Sequence, residues 1–442
     1  MKKPTIGIMS LGCPRNMVDS EVMLGALEKQ GYPLKDQIIN CDIALINTCA
    51  FIKDAKQEAI DIILQATELK KEGKIKAIII AGCLSQRYQK VLKKQMPEID
   101  AFLGTSDFDK IVTAVKAIQQ KKTFIKIGLP TKIYSHTSPR HLLTPAYYTY
   151  IKIAEGCNNR CSYCAIYKLR GKYRSRPIDS IIKEVKNLTA KRKLSELNII
   201  AQDTTSYGRD RYGKYKLSDL LNKISVLNKA HWIRLLYTHP RHFSDELIDV
   251  IANNKNICKY IDLPIQHASN RILKIMNRGT TKEYIQALID KIRDRIPNVA
   301  LRTSIIVGFP GETNKEFKQL LEFIKIMKFE RLGAFIYSKE EGTPAYEYKK
   351  HMPDKIKNQR LDEVMKLQQD ISKQVNEHWL NKTLEVLIEE KQQGGMYVGR
   401  TQYDAPEVDG VVYVKGNNLR PGSFVNVKIT DTLEYDLAGE AV

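Results

Sequence analysis

A loop of three closely spaced thiols, Cys157, Cys161 and Cys164, restricts the fold of this chain more than any other feature. It follows directly on a strand-like run at Tyr148–Ala154. Thiolates in this CxxxCxxC spacing can bind three corners of a four-iron cube, which is a site for one cluster on one rigid scaffold. The scaffold is legible downstream. Strand-like runs recur at Glu196–Gln202, Trp232–Tyr237, Tyr260–Pro264, Ala300–Val307 and Leu332–Tyr337, separated by helical patterns such as Ile178–Lys191 and Thr281–Arg295. Six such β/α units predict an open, partial (β/α)6 TIM barrel rather than a closed eight-unit one. The thiol loop then lies behind the first strand, at the end of the barrel where active sites gather.

A similar alternation precedes it. Thr5–Met9, Ile43–Asn47, Ala77–Ala81, Ala101–Gly104 and Thr123–Gly128 read as strands, with amphipathic stretches such as Ser20–Gln30 and Lys53–Leu69 between them. This is the pattern of a doubly wound parallel α/β sheet. Residues 129–146, with Pro130, Pro139 and Pro145, read as a linker. After a charged helix at about 353–380, short strands at Thr383–Glu389, Met396–Thr401, Gly410–Val414 and Phe424–Ile429 predict a small antiparallel β-barrel. The expected units are 1–128, the linker 129–146, 147–380 and 381–442.

Composition narrows the class. Apolar runs such as Ala77–Ala81 are strand-length and too short to cross a bilayer. Met1-Lys2-Lys3-Pro4 leads straight into a fold pattern without a cleavage site, so a cytoplasmic protein without a membrane partner is expected. The net charge of +21 suits a polyanionic partner such as RNA or a ribonucleoprotein, and equally a lysine-rich solvated surface. Eight cysteines in 442 residues are no disulfide scaffold, and their clustering points to metal.

No fourth cysteine follows Cys164 nearby, so one iron of a cluster there would stay open for reaction. Structural zinc takes four Cys or His ligands, and neither a second CxxC nor a nearby His pair completes such a set. Cys13, Cys49 and Cys83 share no local motif, yet each follows a predicted parallel strand. Strand ends in an open α/β sheet face a common crevice, so these three can form a second cluster site; the alternative for each is a small buried hydrophobe. Cys41 and Cys258 fit neither pattern and read as packing residues.

The cysteine spacing, the aromatic Tyr163 before the last cysteine and the six β/α units resemble the radical S-adenosylmethionine superfamily. That resemblance implies a cofactor chelated to the open iron through its amino and carboxylate groups and cleaved by one electron to a 5′-deoxyadenosyl radical. The chemistry is the cofactor's, and the protein positions it. Candidate cofactor contacts are Tyr163, Gln202 and Asp203 after the second strand, Gln266 and His267 after the fourth, and Gly308 to Glu312 after the fifth. Arg174 and Arg176 can neutralise a carboxylate. Each of these also suits a loop or capping role.

The chain as a whole resembles the methylthiotransferase family, through Ser10-Leu-Gly-Cys-Pro-Arg-Asn16 with Asp19-Ser-Glu21, Asn47-Thr-Cys-Ala50, Ala81-Gly-Cys83, Glu155-Gly-Cys157 onward, Arg170-Gly171, Arg174-Ser-Arg-Pro177 and Gly308 to Glu312. The resemblance implies a second 4Fe-4S cluster on Cys13, Cys49 and Cys83, an electron donor and a TRAM-like terminal barrel. It also implies two uses of S-adenosylmethionine: one molecule methylates a sulfur held on the auxiliary cluster, and another yields the radical that takes a hydrogen atom from the substrate carbon. One branch of the family modifies tRNA adenosine, usually with Gln-Met-Asn after the first cysteine. The other modifies an aspartate of small-subunit ribosomal protein twelve, and Pro14-Arg15-Asn16 and Tyr403 to Gly410 resemble that branch. Ten acidic and six basic residues leave 381–442 at −4 and the rest of the chain at +25. An RNA-gripping module should be basic, so this balance favours a basic ribosomal protein, free or within the small subunit, docked on Asp404, Glu407 and Asp409; the alternative is a structural cap whose charge is solvated surface. The rival readings are a tRNA adenosine methylthiotransferase and a zinc-stabilised RNA-binding protein without catalysis.

Overall fold

A computed structural model describes residues 2–442. Six parallel strands form the first sheet: β1 (Ile6–Ser10), β2 (Leu34–Lys35), β3 (Ile43–Thr48), β4 (Ala77–Gly82), β5 (Ala101–Leu103) and β6 (Phe124–Lys126). Their order is β2-β1-β3-β4-β5-β6. β3 and β4 are buried along their whole length, which is why they read as unbroken apolar runs. Ile8, Leu45 and Ile79 pack on one face with Val18, Val22 and Ile111 from the helices Pro14–Lys29 and Ile111–Gln119. Ile46, Ile78 and Ile80 pack on the other face with Ala59, Ile63 and Leu84 from Lys53–Lys71 and Cys83–Gln95. The sheet is doubly wound, and its strand order reverses between β1 and β3. The two-residue β2 has no alternation to read and was not among the expected strands.

The second sheet is the open barrel. Its strands are β7 (Tyr148–Lys152), β10 (Glu196–Ile200), β11 (Trp232–Leu235), β12 (Ile257–Asp262), β13 (Ala300–Val307) and β14 (Arg331–Ile336), all parallel and adjacent in chain order. A two-stranded hairpin, β8 (Ala154–Glu155) with β9 (Arg174–Ser175), brackets the cysteine loop. The outward faces of the strands, such as Ile199, Leu235 and Ile261, pack under the surrounding helices. Tyr150, Trp232 and Tyr260 belong instead to one apolar cluster with Val22, Ile8 and Ala405, so the open barrel is closed by its neighbours on both sides.

The last module is a closed five-strand barrel of β15 (Thr383–Lys391), β16 (Met396–Thr401), β17 (Val412–Lys415), β18 (Phe424–Thr432) and β19 (Leu437–Ala441). Four pairings are antiparallel, as expected, but β17 and β19 pair in parallel. The unforeseen β19 supplies that closing pair.

The docking assigned to Asp404, Glu407 and Asp409 needs correction. Asp404 is buried and accepts from Arg331 at 2.6 Å and from Thr401 at 2.6 Å. Asp409 accepts from Arg302 at 3.2 Å and from the Tyr260 hydroxyl at 2.7 Å. Only Glu407 is exposed, and it accepts from Tyr148 at 2.7 Å. The loop between β16 and β17 packs against the open barrel, where Asp404 and Asp409 neutralise Arg331 and Arg302 rather than facing a partner.

Candidate active site

Cys157 opens the loop behind β8 that also carries Cys161 and Cys164. Cys13, Cys49 and Cys83 follow β1, β3 and β4, so the first two flank the switch point of the sheet, the usual ligand crevice of such folds. Gly12 makes the approach possible. Its φ is +85°, and a Cβ there would lie 2.7 Å from Cys49 Cβ. Asn16 ties the strand ends together, donating to Leu11 O at 2.7 Å, while Asn47 donates back to Asn16 O at 2.9 Å.

The 157–164 loop is held from four directions. Asn158 accepts from the Tyr173 amide at 3.1 Å, Asn159 donates to Asp203 at 2.8 Å, Asn277 donates to Arg160 O at 3.0 Å, and Ser162 O accepts from the Ala345 amide at 2.8 Å. Each sulfur faces one donor: the Asn159 amide on Cys157, Arg278 Nη1 on Cys161 and the Ile166 amide on Cys164, all at 3.5 Å. In the other group Arg170 Nη2 lies 3.7 Å from Cys83 Sγ.

Burial pushes the Cys157 thiol up to about 12. Burial, with Cys83 and Cys13 alongside, does the same to Cys49. Burial also raises Cys164 and Cys83, whereas at Cys13 burial is outweighed by Arg15 and Arg170 and the thiol is lowered. Crowded thiols that resist ionising together are relieved by a cationic group they can ligate, and N–H donors on sulfur are the usual second layer around iron–sulfur clusters. The two donor sets therefore fit thiolate-bound clusters. Among the described residues no three Cys, His, Asp or Glu side chains form a site for a single metal ion.

A cavity of about 310 Å³ abuts the loop. Tyr163, Gln266, Ser304 and Ile306 line it from the barrel, and Phe51 and Ile52 from the first domain. A larger groove, about 710 Å³, opens at the opposite edge of the first sheet among Lys2, Lys3 and Lys76 and touches none of the cysteines. Tyr163 and Gln266 thus meet at one cavity, the latter with φ +72°. The other candidate contacts have internal partners. Gln202 donates to Glu155 at 3.0 Å. Asp203 accepts from Asn159, Thr205, Ser206 and His242, so it braces the cysteine loop. Arg174 donates to the carbonyls of Lys172, Arg170 and Lys132. Arg176 cannot serve a cofactor carboxylate, because it is fully buried with Glu184 at 2.5 Å and stacks over Tyr134. The side of Gly308 that lacks a Cβ faces Lys357, and Glu312 pairs with Arg360 and lies 3.7 Å from His267.

Two arginines cross the domain boundary in opposite directions, and the sequence reading assigned neither a role. Arg170, behind the cysteine loop, donates to Asp19 at 2.5 Å, to Asn16 at 3.1 Å and to Glu155 at 3.0 Å. Arg15, beside Cys13, donates to Ala201 O at 3.0 Å and lies over the Tyr237 ring at 4.0 Å. Arg278 was missed as well. The available signal was an Arg-Gly pair in both places, Arg170-Gly171 and Arg278-Gly279, with each glycine at positive φ.

Comparison with known proteins agrees with this architecture. Residues 151–324 match the Radical SAM superfamily, 5–104 the uncharacterized protein family UPF0004 and 382–442 the TRAM domain. Among solved structures, the radical S-adenosylmethionine methyltransferase TsrM from Kitasatospora setae superposes with TM-score 0.55 at 14% identity, covering 78% of this chain and 74% of that one. Fold and cysteine loop define a radical S-adenosylmethionine protein with an added α/β domain and a terminal β-barrel. Full-length relatives narrow the class. Proteins named ribosomal protein uS12 methylthiotransferase RimO are 49% identical in Clostridioides difficile, over 99% of this chain and 98% of theirs, and 50% identical in Desulforamulus reducens, over 99% of each. This chain belongs to the uS12 methylthiotransferase RimO family.

Proposed function

We propose that this chain replaces a β-carbon hydrogen of an aspartate in ribosomal protein uS12 by a methylthio group. One cluster would be held by Cys157, Cys161 and Cys164, a second by Cys13, Cys49 and Cys83, and S-adenosylmethionine in the cavity at Tyr163 and Gln266. The observation that carries this reading is the contact between the two cysteine-bearing domains, where Arg170, behind the cysteine loop, reaches Cys83 and Arg15, beside Cys13, reaches Ala201. Bound there, the clusters and S-adenosylmethionine supply hydrogen-atom abstraction and a transferable methylthio group. The β C–H is unactivated for acid–base chemistry, since the neighbouring carboxylate makes deprotonation harder, so a radical route is required.

The protein's own contribution is positional. Asp203, Asn277 and Ala345 hold the cysteine loop, and Arg278 and Arg170 place positive charge against sulfur. Asp19 and Glu155 keep Arg170 charged and aimed. None of the described helices is long and apolar enough to cross a membrane.

The test is anaerobic reconstitution with iron and sulfide, followed by incubation with S-adenosylmethionine and dithionite in place of the physiological electron donor. The substrates are purified uS12, small ribosomal subunits and tRNA, each read by mass spectrometry. uS12, free or in the subunit, should gain one methylthio group on an aspartate. A gain confined to tRNA, or protein that carries zinc but no iron and sulfide, would overturn the assignment.

A further inference from the structure

We propose that Arg15 is the specificity-determining residue that receives the carboxylate of the target side chain. This rests on the aspartate reading above. The buried arginines at the domain boundaries have carboxylate partners: Arg170 has Asp19 and Glu155, Arg234 and Arg400 share Glu196, and Arg331 has Asp404. Arg15 has none. Among the described residues it pairs with no acid, and its buried Nε donates to nothing. The groups around it are the Cys13 thiol, the Tyr237 ring, the Ala201 carbonyl and Arg170, whose charge Asp19 and Glu155 offset.

Even with the Cys13 sulfur in hydrogen-bond contact, a half-buried guanidinium with a free Nε and no acid calls for an anion to be supplied. Here the supply would come from the substrate. Ala201 and Tyr237 hold the fork in place, each just beyond a barrel strand, β10 and β11, at the carboxyl ends where the reaction chemistry gathers. Cys13 lies two residues away, within hydrogen-bond reach of the guanidinium. A carboxylate taken by Arg15 is one bond from the β-carbon, so gripping it sets that carbon at the carboxyl ends of the barrel strands, beside Cys13. Planar donors matched to two oxygens make arginine suited to this task.

The experiment compares reconstituted wild type, Arg15→Gln and Arg15→Lys on purified uS12 and on uS12 whose target aspartate is replaced by asparagine. Dissociation constants, KM and kcat are measured, with iron and sulfide content and the electron paramagnetic resonance spectrum as cluster controls. Wild type should bind the aspartate form roughly ten- to hundred-fold tighter, the range for a charge-assisted hydrogen bond. Arg15→Gln should lose that preference, chiefly through KM, and Arg15→Lys should keep part of it. If Arg15→Gln does not load its clusters, Arg15→Lys carries the comparison, and a preference equal to wild type defeats the proposal. A preference that survives Arg15→Gln, or equal losses on both substrates, also overturns the clamp while leaving the methylthiotransferase reading intact. Wild type that modifies no uS12 aspartate overturns that reading, and the clamp with it.

Discussion

Arg278 donates to Cys161 Sγ at 3.5 Å and to the Tyr163 hydroxyl at 3.4 Å, so one guanidinium touches both the cysteine loop and the wall of the cavity. A cation and an N–H on a cluster sulfur favour the reduced state, which carries more negative charge. Arg278→Gln should therefore make the reduction potential of the Cys161 cluster more negative, and Arg278→Lys should restore part of the shift, as read by redox titration followed by electron paramagnetic resonance. A potential that stays at the wild-type value would show that the contact is structural only. The two cysteine groups should also be separable. Cys161→Ala should abolish reductive cleavage of S-adenosylmethionine, whereas Cys49→Ala should still release 5′-deoxyadenosine but transfer no methylthio group. Loss of cleavage in folded Cys49→Ala that retains the other cluster would contradict this division. At this scale the positions of the cysteines were readable because each follows a strand pattern along the chain. The partners of their sulfurs were not, because Arg278 and Arg170 reach them only through the fold.

The loop between β16 and β17 is the element on which the reading of function changed most. From charge alone it is an acidic docking surface; in the structure Asp404 and Asp409 meet Arg331 and Arg302 of the open barrel. Beside them Glu196, at the start of β10, takes Arg234 at 2.6 Å and Arg400 at 2.6 Å, with all three side chains buried. Arg400 and Arg234 outweigh burial and hold the Glu196 carboxyl below its ordinary range. Glu196→Gln leaves two buried guanidinium groups short of their shared anion and should cost about 3–5 kcal/mol of stability, as breaking buried ion pairs does. Urea denaturation measures this, and a loss under ~1 kcal/mol would mean water or Glu389 compensates.

Across the whole molecule, the terminal barrel is joined to the rest through ion pairs and apolar contacts, and both tryptophans of the chain report on that joint. Trp232 packs edge-on against Phe424 at 4.8 Å, and Trp379 stacks on Tyr403 at 4.9 Å. Because the Glu196 carboxyl is lowered in the folded state, its contribution is complete above the unfolded carboxylate value of about 4.3 and is lost as pH falls through the lower folded value. Asp409 acts oppositely: burial outweighs Arg302 and raises its carboxyl, so it partly offsets that loss. Tryptophan fluorescence should stay constant from neutral pH to about 5 and change below about 4, as the barrel detaches. A transition at about pH 6 to 7 would show that the Glu196 carboxyl does not control the joint.

What could be read along the chain is what local pattern controls. Unbroken apolar runs such as Ala77–Gly82 specify buried parallel strands, and the thiols that follow β1, β3, β4 and the β7–β8 segment lie at strand ends whatever else the chain does. The succession of two parallel sheets and a small β-barrel follows from that alone. Packing settled the remainder. It turned Arg176 and Glu312 inward to Glu184 and Arg360, neutralised Asp404 and Asp409, and left Arg15 without an acid beside Cys13. A charged side chain carries the same sign in the sequence whether it will face solvent, a buried partner or a substrate. Only the tertiary structure, by bringing distant strand ends and loops within hydrogen-bond reach, decides which of these it meets.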